Sequence, residues 1–213
     1  MDTIKSKYHE TLAATVIKNL EKRQMEGYYC PTVEDAEKLA FSFLKDGQTV
    51  SFGGSMTLEE TGMLTALRHD PSIHLIDRST AKTPDETKKM YHDALSSDVY
   101  FMSTNAITTG GELVNIDGTG NRVAALIYGP ETVVILAGIN KIAANVDEAL
   151  SRVHNVATAQ NCIRLDKKTP CAITGACADC LSPDCICNQV VITRRSGIKG
   201  RIKVLLIGES FGY

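Results

Sequence analysis

The sequence predicts an α/β fold, a mostly parallel Rossmann-like sheet flanked by helices, with a Cys-rich insertion and a C-terminal β-hairpin. Three observations lead there. Short apolar β-type runs alternate with helical periodicity through the first hundred residues, and strand–helix–strand alternation demands parallel pairing with helical crossovers. Gly-rich turns follow two of those runs, where a parallel sheet meets the helix after it. Between 97 and 141 two strand-like runs, Val99 to Met102 and Thr132 to Ala137, bracket a Gly-, Asn- and Thr-rich segment that holds five of the sixteen glycines, as a binding loop would. At 213 residues the chain suits a single domain, 1–213, with an N-terminal helical segment at 1–26 and a Cys-rich insertion at 161–189.

Residues 3 to 25 place Ile4, Tyr8, Leu12, Val16, Leu20 and Met25 on one helical face that ends at Gly27. Tyr28 to Cys30 reads as a short strand. Thr32, with Asp35 three residues on, caps a helix bearing Ala36, Leu39, Ala40, Phe43 and Leu44, which Gly47 stops. Thr49 to Phe52 is a strand running into Gly53-Gly54-Ser55 and a helix-like LEETGMLTALR; Ser55 or Thr57 serves as N-cap, as anion contact, or as both. Ile73 to Ile76 is a strand, Pro84 opens a helix at a tolerated position, and Val99 to Met102 follows. Val123 to Ile127 and Thr132 to Ala137 read as strands joined by Tyr128-Gly129-Pro130-Glu131. Asn140 is the expected N-cap of a long helix through Val156. Val190 to Thr193 and Ile202 to Ile207 read as a β-hairpin about RRSGIKGR.

A net charge of −2 carries no signature of a nucleic-acid or anionic-membrane partner. The N-terminus is charged throughout, and no run approaches the roughly 20 apolar residues that span a bilayer. A cytoplasmic protein with a small-molecule or protein partner is expected. The N-terminal helix, without obvious core partners, hints at a homodimer.

The segments SFGGSMTLEETG, STNAITTGGELVNIDGTGNR and VVILAGINKI, each at its place in the strand order, resemble the lactate-utilisation (LUD) domain family. The resemblance covers roughly residues 10 to 160 and continues to the C-terminal strands. It implies a fold like that of CoA transferases and ribose-5-phosphate isomerases, and a link to lactate oxidation through an iron–sulfur-containing oxidoreductase complex. It also implies a ligand site at Gly53, Gly54, Ser55, Thr104, Asn105, Gly110, Asp117, Gly118, Gly120, Asn121, Arg122, Gly138 and Asn140. A small organic anion would suit that site, because glycine-bared amides, short hydroxyls and an arginine fork meet a carboxylate well.

Two further chemistries are open. Cys171, Cys177, Cys180, Cys185 and Cys187 crowd into C-x5-C-x2-C-x4-C-x-C, and close thiolates bind soft or borderline metals. An iron–sulfur cluster, zinc, or free redox-active thiols fit the composition, although the spacing is not the ferredoxin run. Glu112 is the carboxylate that an isomerase or CoA-transferase-like mechanism would use as nucleophile or base; its bland alternative is a solvated side chain on a turn. Asp117 has a structural rival role in an Asp-Gly turn, and Arg122 one as an ordinary strand-edge residue. A non-catalytic subunit docking an iron–sulfur oxidoreductase, with the first helix and the basic segment 194–203 as contact surfaces, is the alternative to an anion-binding redox protein.

Overall fold

The computed structural model describes residues 3–213; Met1 and Asp2, the first two residues of the expected helical segment 1–26, lie outside it. The first half keeps the expected alternation. Helix α1 (Thr3–Lys22) leads to β1 (Glu26–Cys30), α2 (Val33–Phe41), β2 (Thr49–Phe52), α3 (Met56–Glu60), α4 (Met63–His69), β3 (His74–Ile76), α5 (Pro84–Ala94) and β4 (Val99–Met102). The caps are those the sequence offers: Thr32, Ser55 and Thr83 each accept an amide three residues on.

The second half departs from expectation in four places. The Gly-rich segment is an antiparallel hairpin rather than an open loop, with β5 (Ala106–Thr108) paired to β6 (Leu113–Asp117). The run Val123 to Ile127 lies in a helix, α6 (Asn121–Ile127), because a short apolar run fits either period and Gly120, at φ 90°, turns the chain into a helical start. After β7 (Thr132–Gly138) comes a 3₁₀ turn, Ile139–Lys141, and a two-residue strand β8 (Ile142–Ala143). The long helix therefore begins later, capped by Asn145, whose Oδ1 accepts the Glu148 amide at 2.9 Å. Finally, β9 (Gln189–Thr193) and β10 (Ile202–Ile207) do not pair with each other. The chain between them crosses from one sheet to another.

The larger sheet has six parallel strands in the order β1-β10-β7-β4-β2-β3. Alternate residues of its central strands enter opposite cores, as a sheet covered on both faces requires. Tyr100, Met102, Val133, Ile135, Val204 and Leu206 pack with Ala13, Val16 and Leu20 of α1 and with the β5–β6 hairpin. Val99, Phe101, Val134, Leu136, Leu205 and Ile207 pack with α2, α3 and α4. The smaller sheet, β8-β5-β6-β9, is mixed and lies against α7 (Val146–Arg152). Beyond α7 the helix widens into a π-helical stretch, Val153–Thr158, before α8 (Ala159–Arg164) and α9 (Pro170–Thr174).

Among the described residues no helix is long and apolar enough to cross a membrane. The basic segment is only partly solvated. Arg201 is buried and donates to the carbonyls of Ala125, Leu126 and Pro130 at 2.7–2.8 Å, closing the C-terminal end of α6, and Lys203 pairs with Glu26.

Candidate functional site

A cavity of about 470 Å³ opens where the C-terminal ends of β2 and β4 meet the turn after β6. This is the edge at which open α/β sheets leave unpaired loops. The two glycine-bearing turns converge on it, Gly54 and Ser55 from one, Asp117, Gly118, Asn121 and Arg122 from the other. Thr104 and Asn105 line it as well, so eight of the residues expected at a site share one wall.

Of the rest, Gly53 and Gly120 stand just behind the cavity. Gly53 donates its amide to the Phe101 carbonyl at 2.9 Å, and Gly120 donates to Asp117 Oδ1 at 2.7 Å. Gly138 and Asn140 lie off the lining, and Asn140 ties down the C-terminal segment instead of capping a helix. Its Oδ1 accepts the Phe211 amide at 3.2 Å, and its Nδ2 donates to the Gly212 carbonyl at 3.3 Å. That tether holds Tyr213 at the cavity.

Gly110 and Glu112 are elsewhere. They sit at the β5–β6 turn, where Glu112 accepts from Thr108 Oγ1 and forms an ion pair with Arg23. Glu112 therefore fastens the hairpin to the end of α1 and has no place at the cavity, and a role as its nucleophile or base is removed by position.

Arg122 is buried in the wall with every N–H group engaged. Nη1 donates to Asn115 Oδ1 at 2.6 Å and to the Ser103 carbonyl at 3.2 Å, Nη2 to the Ile116 carbonyl at 2.8 Å and to Asn105 Oδ1 at 3.0 Å, and Nε faces Asp117 Oδ2 at 3.4 Å. Asp117 in turn accepts from the amides of Thr119 and Gly120. The pair is an internal brace that holds the two turns together, and it leaves Arg122 no N–H group free for a ligand.

Arg78, which the sequence pattern does not single out, differs. It follows β3 on a 3₁₀ turn (Arg78–Thr80), whose N-cap Asp77 accepts the Ser79 amide. Among the described residues its guanidinium has no hydrogen-bond or ion-pair partner; it lies over the Tyr91 ring at 5.6 Å and lines the cavity. Arg78 Nη2 packs directly against Gly54, where a Cβ would push the guanidinium aside. Only the sheet order, which sets β3 beside β2, reveals the pairing.

Lys141 was equally hidden, as one lysine in GINKI. Its Nζ, almost wholly buried, donates to Thr57 Oγ1 at 2.8 Å, Ser103 Oγ at 3.0 Å and the Thr104 carbonyl at 3.3 Å. Burial, with Arg152 and Arg122 nearby, pushes its pKa down to about 7. Arg164 and Lys167 add positive charge at the rim; the acidic lining residues, Asp117 and Asp184, face Arg122 and Lys167 respectively.

Of the five thiols expected to hold a metal, Cys171 contacts Cys162 and Cys185 contacts Cys187, with the two pairs close enough to influence each other, while Cys177 lies apart beside His154. Cys171 is buried with Cys162 and Ala159, Cys177 Sγ lies 3.6 Å from His154 Nδ1, and the Cys187 amide donates to Cys185 Sγ at 3.3 Å. Among the described residues no three or more His, Cys, Asp or Glu side chains are grouped to hold a metal ion. Burial pushes the thiol pKa values of Cys162 and Cys187 up, Cys187 to about 12, and the neighbouring thiols add to the rise. The segment reaches the cavity, which Cys185 and Ile186 help to line.

The LUD domain family model matches residues 13–207. No curated protein matches the chain. Among solved structures, a DUF162 family protein from Deinococcus radiodurans superposes with a TM-score of 0.53 at 11% identity, covering 93% of this chain and 98% of that one. At that identity the likeness concerns the fold. eIF2B delta from Chaetomium thermophilum reaches a TM-score of 0.34 at 20% identity over 52% of this chain and 48% of its own.

Proposed function

The chain belongs to the LUD domain family, and from that membership together with the shape and charge of the cavity we propose that it binds a small organic anion, a hydroxy or oxo acid of the kind lactate utilisation handles. One observation carries the reading: Arg78 brings an unengaged guanidinium against Gly54 and the Ser55 turn, in a cavity whose carboxylates already face other cations. A planar five-donor fork beside hydroxyls is what a carboxylate requires, and its aromatic support under Tyr91 limits the rotamers lost on binding. The ligand's carboxylate would lie on Arg78, with the rest of the molecule toward Ser55 and Ser103.

A thermal-shift comparison tests this. Lactate and pyruvate should raise the melting temperature, lactamide should not, and Arg78→Ala should remove the shift. Equal shifts from acid and amide would defeat the proposal.

A second reading, a subunit that docks an iron–sulfur oxidoreductase, is favoured by the outer face of α1, where Tyr8 is 61% exposed beside Thr11 and Lys7. Co-purification of such a partner, abolished by Tyr8→Glu, would support it.

A further inference from the structure

Beside the anion fork lies a group of side chains that carboxylate binding does not require. β4 ends at Met102, so Ser103 is the first residue past the sheet edge; Lys141 closes the turn beyond β7, the strand paired with β4. Sheet register thus brings a primary hydroxyl to 3.0 Å from an amine, and both line the cavity. Thr57 also contacts the amine and its secondary hydroxyl donates to the Phe211 carbonyl, as Ser103 Oγ donates to the Thr104 carbonyl at 3.3 Å; the primary hydroxyl is the less hindered nucleophile.

We propose that Ser103 and Lys141 form a nucleophile–base dyad that gives this cavity an acyl-transfer or hydrolytic activity on a small acyl ester or thioester. Neutral Lys141 reverses the present contact and accepts the Ser103 proton as Oγ attacks the acyl carbon. The tetrahedral adduct collapses, the bond to the alcohol or thiol breaks, and that leaving group takes the proton from the Lys141 ammonium. Water then attacks the acyl-serine with Lys141 as base, releasing a carboxylate and restoring the Ser103 hydroxyl. The dyad rests on the anion reading in one respect: the carboxylate set free is the group Arg78 is placed to hold. The charged groups facing Lys141 are Arg152 of α7 and Arg122 of α6, which favour the neutral amine, and Glu60 of α3, which opposes them.

The test is labelling by a fluorophosphonate, which a base-activated serine attacks with loss of fluoride. The folded protein should take one label at Ser103, at a rate rising through about pH 7. Ser103→Ala should take none while unfolding in urea as cooperatively as wild type. Lys141→Arg, whose guanidinium is no base, should label about 100-fold more slowly or worse. If that variant does not fold, the wild-type pH profile decides, and a rate flat from pH 6 to 9 overturns the dyad. No label, a label on Lys141 or elsewhere, or unchanged labelling of Ser103→Ala overturns it too. Absent labelling with an intact anion shift removes the dyad alone, whereas loss of both removes the anion site as well.

Discussion

At the scale of single residues the site is decided by which cations are already engaged. Arg122 and Arg78 look alike in a sequence, and a bidentate role suits the former's neighbours better. Coordinates reverse the choice, because Arg122 has acceptors for every N–H while Arg78 has an aromatic ring and open space. Hydrogen-bond saturation depends on partners from separate strands, which local spacing does not encode. Arg78→Lys should therefore weaken lactate or pyruvate binding about tenfold, since a single ammonium cannot give a carboxylate two parallel hydrogen bonds, and an equilibrium titration measures it. Lys141 gives a second prediction. Its folded pKa, near 7, lies below its unfolded value of 10.5, so between those limits the unfolded chain binds more protons and stability rises with pH. From pH 7 to 8, below the value of 9.0 at which unfolded thiols ionise, wild type should become more stable toward urea. Lys141→Met should flatten that slope.

At the scale of elements, strand and cap signals were legible and helix-versus-strand identity in short apolar runs was not. Thr32, Ser55, Thr83 and Pro84 mark their helices correctly because a cap is a local hydrogen bond. Residues 123–127 resemble a strand in sequence because VAALI suits either period. What makes them helical is Gly120 at their start and Arg201, 75 residues away, at their end. Two consequences can be measured by denaturant unfolding. Gly120→Ala should destabilise the fold by about 1 kcal/mol, the order of strain for a side chain at positive φ. Arg201→Met should cost more, about 3 kcal/mol, since it leaves three carbonyls without their donor. The misread C-terminal hairpin has a similar origin. β9 and β10 look like partners in sequence, yet β10 fills the gap between β1 and β7, and β9 extends the smaller sheet beside β6. Pairing at that distance is invisible to turn chemistry.

At the scale of the whole molecule, the alternation through residue 102 and the convergence of two glycine turns were legible, because a parallel sheet with helical crossovers leaves its loops at one edge. The second sheet was not, because its strands β5, β6, β8 and β9 come from separate stretches of the chain. The charge pattern is also a property of the assembled fold. A chain of net charge −2 gathers Arg78, Lys141, Arg164 and Lys167 around one cavity. Anion binding should accordingly weaken as ionic strength rises, which separates a charge-led site from an apolar one. The most direct measurement of the central claim is calorimetric titration of pyruvate and lactate into wild type, Arg78→Ala and Glu112→Gln under one buffer. Binding by wild type and Glu112→Gln, with loss in Arg78→Ala, is the predicted result; undiminished binding by Arg78→Ala would contradict the account.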